Sequence, residues 1–380
     1  MGFSLTDEQR ALRDSVREFA QERIRPRAIE LDRNGTYPED ILAELGERRL
    51  TGLTIPETYG GRGEGPVELA VVTEELAAAL MPVASAVALH LGVAEVIERF
   101  GTEAQRERFL PEMATFDTVG ALGLSEADAG SDKLRMETTA EREGDVWTLD
   151  GHKQWVTNFL DADEVLTYAK TGPDADAPHN VTAFLVPAER FEIEEVWETT
   201  GARPVKAVRV RLDDVSVPDD RRVGAVGEGY VNRGDLTTGV NVPARGVGIA
   251  RAALDDTAAY VSDREQFDQR IGDFQGVRWG VAKMARRVDS ARLLTLRAAD
   301  RAARGDATDR AFPAAKIDAT EAAVENANDA MQFHGGVGYT TEHHVERYLR
   351  DARLLTLAGG PNELHKDSLA DTVLDGADEE

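Results

Sequence analysis

The sequence predicts an α+β fold in three parts: a helical first third, a middle third of short antiparallel strands, and a helical last third. Three observations carry this. Apolar residues recur at helical spacing up to about Thr115 and again in the last third, while between them the pattern changes to short alternating runs ended by Pro. A length of 380 residues can hold two or three domains around a substantial core. A hydrophobic share of 42% is that of a globular chain rather than a disordered one. The expected divisions are 1–117, 118–224 and 225–380.

In chain order, Thr6-Asp-Glu-Gln opens the first helix as an N-cap with an acidic first turn, and Leu12, Val16 and Phe19 follow at helical spacing. A second helix near Pro38 to Arg49 leads into Leu53-Thr-Ile-Pro-Glu-Thr-Tyr-Gly-Gly, whose paired glycines permit a tight backbone path. Leu76 to Ala94 carries no formal charge and nominally reaches the length of a membrane span. Pro82 interrupts it, His90 sits inside it, and Glu74, Glu75 and Glu95 bound it, so two buried helices and no membrane span are expected. Phe100-Gly-Thr-Glu-Ala-Gln marks a break and a restart.

The middle part is organised around Gly120 to Asn158. Val146-Trp-Thr-Leu alternates as a strand does, and Asp150-Gly151 is a favoured type I′ turn pair. A hairpin turning there would bring Trp155 and Thr157 back beside Ser125 and Ser131. Small hydroxyls, backbone N–H groups and one flat indole would then surround a common space, which suits a planar cofactor with polar edges. An ordinary hairpin with a buried Trp and capping serines is the plainer alternative. Further strands are read at Val181 to Pro187 and Val208 to Pro218, with Thr171 to Pro178 as a surface loop and Gly224, Gly227 and Gly229 as the exit.

In the last third, Val281, Met284, Ala285, Val288 and Ala291 form one apolar stripe, and Ala314 to Met331 reads as another long helix. Ala-rich helices of this kind pack into bundles and oligomers. Gly246-Val-Gly-Ile-Ala-Arg is helical by context and carries no weight as a dinucleotide signal. No Walker A sequence occurs. No HExxH pattern or spaced carboxylate set accompanies His343 and His344, so they are read as surface residues and no metal site is expected.

Charge narrows the partners. Seventy acidic residues against 44 basic ones leave a net charge of −26, which disfavours nucleic acid. The cations are seven Lys and 37 Arg. Acid-rich, Lys-poor chains suit high salt, where screening removes self-repulsion. With no cysteine there is no disulfide, thiol nucleophile or Cys-ligated metal. The N-terminus lacks the apolar core of a signal peptide, and a cytoplasmic location is expected.

Leu124-Ser-Glu…Ala129-Gly-Ser-Asp132 followed by Trp155-Val-Thr-Asn158 resembles the flavin-binding signature of the acyl-CoA dehydrogenase family, with Ser125 for the usual Thr and Ala127 for the usual Pro. The Pro-Glu-Thr-Tyr-Gly-Gly turn resembles the family's first domain. Arg264-Glu-Gln-Phe267…Phe274-Gln275 resembles its R-x-x-F-G-x-x-I-x-x-x-Q segment, with Asp268 in place of Gly, and Gln332-Phe-His-Gly335-Gly336-Val-Gly-Tyr resembles its Q-x-x-G-G-x-G-(F/Y) turn. Arg350-Asp-Ala-Arg353 matches as well. The resemblance implies an N-terminal helical domain, a middle β-barrel-like domain and a C-terminal four-helix bundle. It also implies FAD as cofactor, acyl-CoA as substrate, an electron-transfer flavoprotein as electron acceptor, and assembly as a homotetramer (a dimer of dimers) or homodimer. FAD contacts are carried over to Leu124, Ser125, Gly130, Ser131, Trp155, Val156 and Thr157 for the ring. For the pyrophosphate and adenosine they fall on Arg264, Phe267, Phe274 and Gln275 of a neighbouring subunit, and on Gln332, Gly335 and Gly336. Ser131 is also expected to face the substrate entrance.

One departure stands out. Family members take the substrate's α proton with a Glu at one of two places, and here those places hold Gly359 and Thr238, with Gly239 where an Arg often follows. Three readings follow: a dehydrogenase whose base has moved, a flavin-dependent monooxygenase, or a catalytically silent flavoprotein subunit. For the first, Asp235 is the nearest candidate base, although Gly234-Asp-Leu-Thr-Thr also makes it a natural N-cap.

Overall fold

A computed structural model of the chain describes residues 4–233 and 237–374. Helix α1 (Asp7–Phe19) starts at Thr6, where the Thr6 hydroxyl accepts from the Gln9 N–H and the Thr6 N–H donates to the Gln9 side chain. Short helices α2 (Ala28–Asn34) and α3 (Glu39–Glu47) lead to the long α4 (Pro66–Phe100). Thr102 repeats the reciprocal cap with Gln105 and opens α5 (Glu103–Thr115). Within α4, Leu80 leaves helical geometry (φ −154°, ψ 104°) two residues before Pro82, so the element is two helices joined at a kink, and two helices were expected. Its apolar window is long enough to cross a membrane, yet 89% of it is buried inside the fold.

The middle third forms one sheet from β1 (Gly120–Gly123), β2 (Thr139–Glu143), β3 (Val146–Val156), β4 (Glu164–Lys170), β5 (Val181–Pro187), β6 (Glu192–Val196), β7 (Val208–Pro218) and β8 (Arg222–Val223). The order is β6-β7-β3-β2-β4-β5-β8, with β1 on β4. Two expectations need correction. The sheet is not wholly antiparallel, because β1 and β2 each pair parallel to β4. The chain runs from β1 through the β2–β3 hairpin before it returns as β4, a crossover that allows parallel pairing. Nor does the hairpin turn at Asp150–Gly151. It turns at Gly144–Asp145, pairing Glu143 with Val146, and β3 runs on through Asp150 and Gly151 as a bulge against β7. Gly151 is still required there: a Cβ would lie 2.5 Å from the Thr138 hydroxyl.

After the sheet come α6 (Val242–Asp263), a hairpin of β9 (Glu265–Gln266) and β10 (Gln269–Arg270), then α7 (Gln275–Arg304), α8 (Ala311–His334), α9 (His344–Leu355) and α10 (Asn362–Leu374). A Cβ on Gly246 would meet Ala319 O at 2.7 Å, and one on Gly248 would meet Glu74 O at 2.5 Å, so α6 lies directly against both α8 and α4. One apolar core therefore runs through α1–α4 and into α6, α8 and α9, joining the first and last thirds. The far half of α4 packs instead with α5 on Leu166, Tyr168 and Leu185 of the sheet. Helix α4 is thus the spine between sheet and bundle.

Candidate functional site

The loop after β1 is held from inside by a side chain it supplies. Glu126 is buried, and its Oε1 accepts from Lys153 Nζ at 2.6 Å and from the Thr138 N–H at 3.2 Å, while Oε2 accepts from the Glu137 N–H. Burial works to raise this carboxyl, but the Lys153 charge and the N–H bonds outweigh it and keep the group below its usual range. Lys153, fully buried in β3, is lowered by the same desolvation against the pull of Glu126. The pair fastens the Leu124–Ser131 loop to the end of β3. A backbone bond from Gln154 N–H to Ser125 O at 2.8 Å closes the seam.

That seam brings the first group of expected residues together. Trp155 takes a positive φ of 62° at a second register shift in β3, which turns its indole outward; it is 51% exposed and stacks on Trp197 with ring centroids 5.0 Å apart. The alternative of a buried Trp in an ordinary hairpin is therefore ruled out. Val156 beside it is fully buried, and Leu124 packs on the α4–sheet core. Asn158, also at positive φ, donates its Nδ2 to Ala86 O at 2.9 Å and so ties the strand end to α4. Among the described residues the hydroxyls of Ser125, Ser131 and Thr157 have no protein partner, and a Cβ on Gly130 would meet nothing within 4 Å. A half-exposed aromatic plane held in a strained backbone, bordered by free hydroxyls, fits a flat ring with polar edges.

A second group gathers at the far end of α6. Arg264 ends that helix, is exposed, and has no carboxylate partner among the described residues. Phe267 and Asp268 form the two-residue tip of the β9–β10 hairpin, both at positive φ, and Phe267 is 87% exposed with its ring edge-on to Phe274. Phe274 caps α7, which opens on Gln275. Across from them, Gln332 lies in the last turn of α8, and Gly335 adopts φ 62°, ψ −141°, a region reserved for glycine. His334 stacks on Tyr260 at 4.4 Å and joins this turn to α6. Cβ atoms on Gly335 and Gly336 would meet nothing, so contacts within the chain do not explain these glycines. A free guanidinium, an exposed aromatic and bare backbone suit a phosphate, an adenine and close approach in turn. The two groups share no hydrogen bond within one chain among the described residues.

Neither family base position offers a carboxylate. Gly359 and Gly360 have φ 68° and 88° in the turn between α9 and α10; Gly359 O accepts from His365 Nε2 at 2.9 Å, and Gly360 O from Lys316 Nζ at 2.8 Å. Thr238 belongs to a π-helical turn, Thr237–Asn241. A Cβ on Gly239 would come within 2.3 Å of the Phe312 ring, so that ring fills the space an Arg would need. Asp235 lies outside the described residues. Glu363 is exposed.

Sequence reading missed several of these features. Lys153 and Lys316 are fully buried, two of only seven lysines, and in so Lys-poor a chain that scarcity was a usable signal. Trp197 and the Asn158–Ala86 tie gave none, because they join positions far apart in sequence. His343 and His344 are half-buried rather than on the surface: His343 is the N-cap of α9, and His344 stacks on Tyr348. Among the described residues no group of three or more His or carboxylate side chains could hold a metal.

Comparison with known proteins covers nearly the whole chain. The acyl-CoA dehydrogenase N-terminal domain matches residues 6–117, the middle domain 121–215 and the C-terminal domain 239–374. The probable acyl-CoA dehydrogenase YngJ of Bacillus subtilis is 35% identical over 98% of this chain and 100% of its own. The structure of butyryl-CoA dehydrogenase from Megasphaera elsdenii superposes with a TM-score of 0.95 at 30% identity, covering 98% of this chain and 100% of that one. A chain in a study of the electron transferring flavoprotein of Acidaminococcus fermentans gives the same values.

Proposed function

The chain belongs to the acyl-CoA dehydrogenase family of oxidoreductases, and from that premise we propose that it is an FAD enzyme that removes two hydrogens from adjacent carbons of an acyl-CoA thioester. The observation that carries this reading is the outward indole of Trp155 beside the unpartnered hydroxyls of Ser125 and Thr157. Trp155 would set the plane of the ring, and Ser125, Thr157 and the loop N–H groups its edge bonds. Arg264, Phe267, Phe274 and Gln275 of one chain would complete the pyrophosphate and adenine site of another, with Gln332, Gly335 and Gly336 at the adenosine half. FAD, when bound, supplies a two-electron acceptor for the β hydrogen. The remaining work falls to the chain: Lys153 and Glu126 hold the loop still, Ser131 borders the substrate entrance, and Asp235 takes the α proton.

Exposed Trp279, Phe267, Tyr339 and Leu357 on the last third support burial between subunits, in a homotetramer or homodimer. An electron-transfer flavoprotein is the proposed electron acceptor. The Gly359–Gly360 turn and the Phe312 ring over Gly239 favour one other reading, in which the same scaffold lacks an α-proton base and acts as a monooxygenase or a silent flavoprotein subunit. Anaerobic mixing with a panel of acyl-CoAs separates them. Bleaching of the oxidised flavin is expected, slowed about 10²- to 10⁴-fold in Asp235→Asn. Oxygen uptake driven by NAD(P)H or a reductase, without bleaching, supports the monooxygenase; neither response supports the silent subunit. Full activity of Asp235→Asn removes that residue as the base.

A further inference from the structure

Among the described residues Arg245 is a buried cation without a counter-charge. It sits in α6 with 5% of its surface accessible. Its Nη1 donates to Ser85 Oγ at 2.6 Å, and its Nε reaches only the carbonyl of Asn241, one turn back, at 3.4 Å. Among the described residues no carboxylate pairs with it and Nη2 has no acceptor. Burial pushes the guanidinium down to about 10, so it remains charged at neutral pH. Leaving such a charge unpaired is costly, and buried cations elsewhere in this chain are answered by carboxylates or carbonyls: Lys153 by Glu126, Arg347 by Asp351 and Ala79 O, and Lys316 by Gly360 O and Asn362 Oδ1.

The location is as informative as the missing partner. Ser85 adjoins Ala86, whose carbonyl is held by Asn158 at the end of the Trp155 strand, so the guanidinium lies against α4 next to the anchor of the ring site. It follows Thr238, in the π-helical turn that leads into α6, by seven residues, close to two helical turns or roughly 10 Å. That is a depth suited to the far end of a short acyl group whose thioester sits near the turn at Thr238.

We propose that Arg245, with Ser85, receives an anionic terminus on the substrate, so that the preferred acyl group ends in a carboxylate rather than a methyl. This rests on the acyl-CoA reading above and specifies the class of acyl group. The guanidinium fork matches a carboxylate in two parallel bonds, and Ser85 can supply a third donor once Arg245 is drawn to the ligand.

The test is equilibrium binding to the FAD-loaded protein after dithionite reduction, when the flavin accepts no hydride and no turnover occurs. Succinyl-, glutaryl- and adipoyl-CoA are compared with butyryl-, pentanoyl- and hexanoyl-CoA. At least one carboxylated ligand should bind about 30-fold or more tightly than the alkanoyl ligand of similar length. Arg245→Met should remove that preference, Arg245→Lys should keep part of it, and both should retain flavin. If Arg245→Met does not fold, Ser85→Ala should still narrow the preference in the carboxylated series alone. Equal or tighter binding of the alkanoyl series to the unaltered protein overturns this inference and leaves the dehydrogenase reading standing. Binding of neither series overturns both.

Discussion

The proposed ring site and the proposed base positions of this chain differ sharply in what the fold retains. Around Trp155 the backbone strain, the buried Glu126–Lys153 pair and the Asn158 tie to α4 are all in place. At the two positions where the family resemblance places the base, the chain has a left-handed diglycine turn at Gly359 and a threonine, Thr238, and the Phe312 ring fills the space beside Gly239. The difference shows what each kind of site depends on. A cofactor cradle is made by loops that brace one another, so it survives only as a whole. A proton acceptor is a single carboxylate, which can be supplied from another position provided the substrate still reaches it.

Breaking the brace gives the largest expected effect. Lys153→Met leaves Glu126 buried without its cation and should destabilise the fold by about 3–5 kcal/mol in urea unfolding, with flavin lost in parallel. Stability within about 1 kcal/mol of the unaltered protein would mean that the pair does not hold the loop.

An acid titration sharpens the comparison next. His90 of α4 is fully buried; its Nε2 donates to Met113 O at 2.8 Å, and its Nδ1 accepts from the Gly120 N–H at 3.1 Å, where β1 begins. Burial lowers it from 6.5 to about 4. Between those values the unfolded chain binds the proton and the folded chain does not, so stability is complete above pH 6.5 and falls as pH drops toward 4. The loss should approach about 3 kcal/mol, because each tenfold difference in proton affinity between the folded and unfolded chain is worth roughly 1.4 kcal/mol. His90→Gln, neutral throughout, should flatten this limb of the stability profile. An unchanged slope would assign the acid response to other groups.

The smallest effect concerns the surface. With a net charge of −26, the fold should gain about 1–2 kcal/mol, seen as a rise in Tm, between dilute buffer and molar KCl. An unchanged Tm would refute salt adaptation.

Legibility in the sequence followed the range of the interactions involved. The caps at Thr6 and Thr102 and the strands Val181–Pro187 and Val208–Pro218 were readable because each is set by residues within a few positions. The hairpin was misplaced for a local reason as well: Gly144-Asp145 and Asp150-Gly151 both carry turn chemistry, and only pairing with β7 and the close approach of Thr138 decide that the second is a bulge. In the site, Trp155 and Ser125 were visible as a motif. Glu126–Lys153, Asn158–Ala86 and Ser85–Arg245 were not, since they join partners 27, 72 and 160 residues apart. The shared core of α4 and α6 was hidden for the same reason, and the first and last thirds read as separate helical units.

A flavin lying against Trp155 is the premise of the proposed activity, and the direct measurement is the FAD content of the purified protein at high salt, with and without the Trp155→Ala change. The unaltered protein should be yellow with one FAD per chain, and the variant should stay folded while binding FAD about tenfold or more weakly, since stacking alone contributes roughly 0.5–1.5 kcal/mol beyond the buried area. A colourless protein that takes up no FAD from excess, or a variant that binds FAD as tightly as the parent, would contradict it.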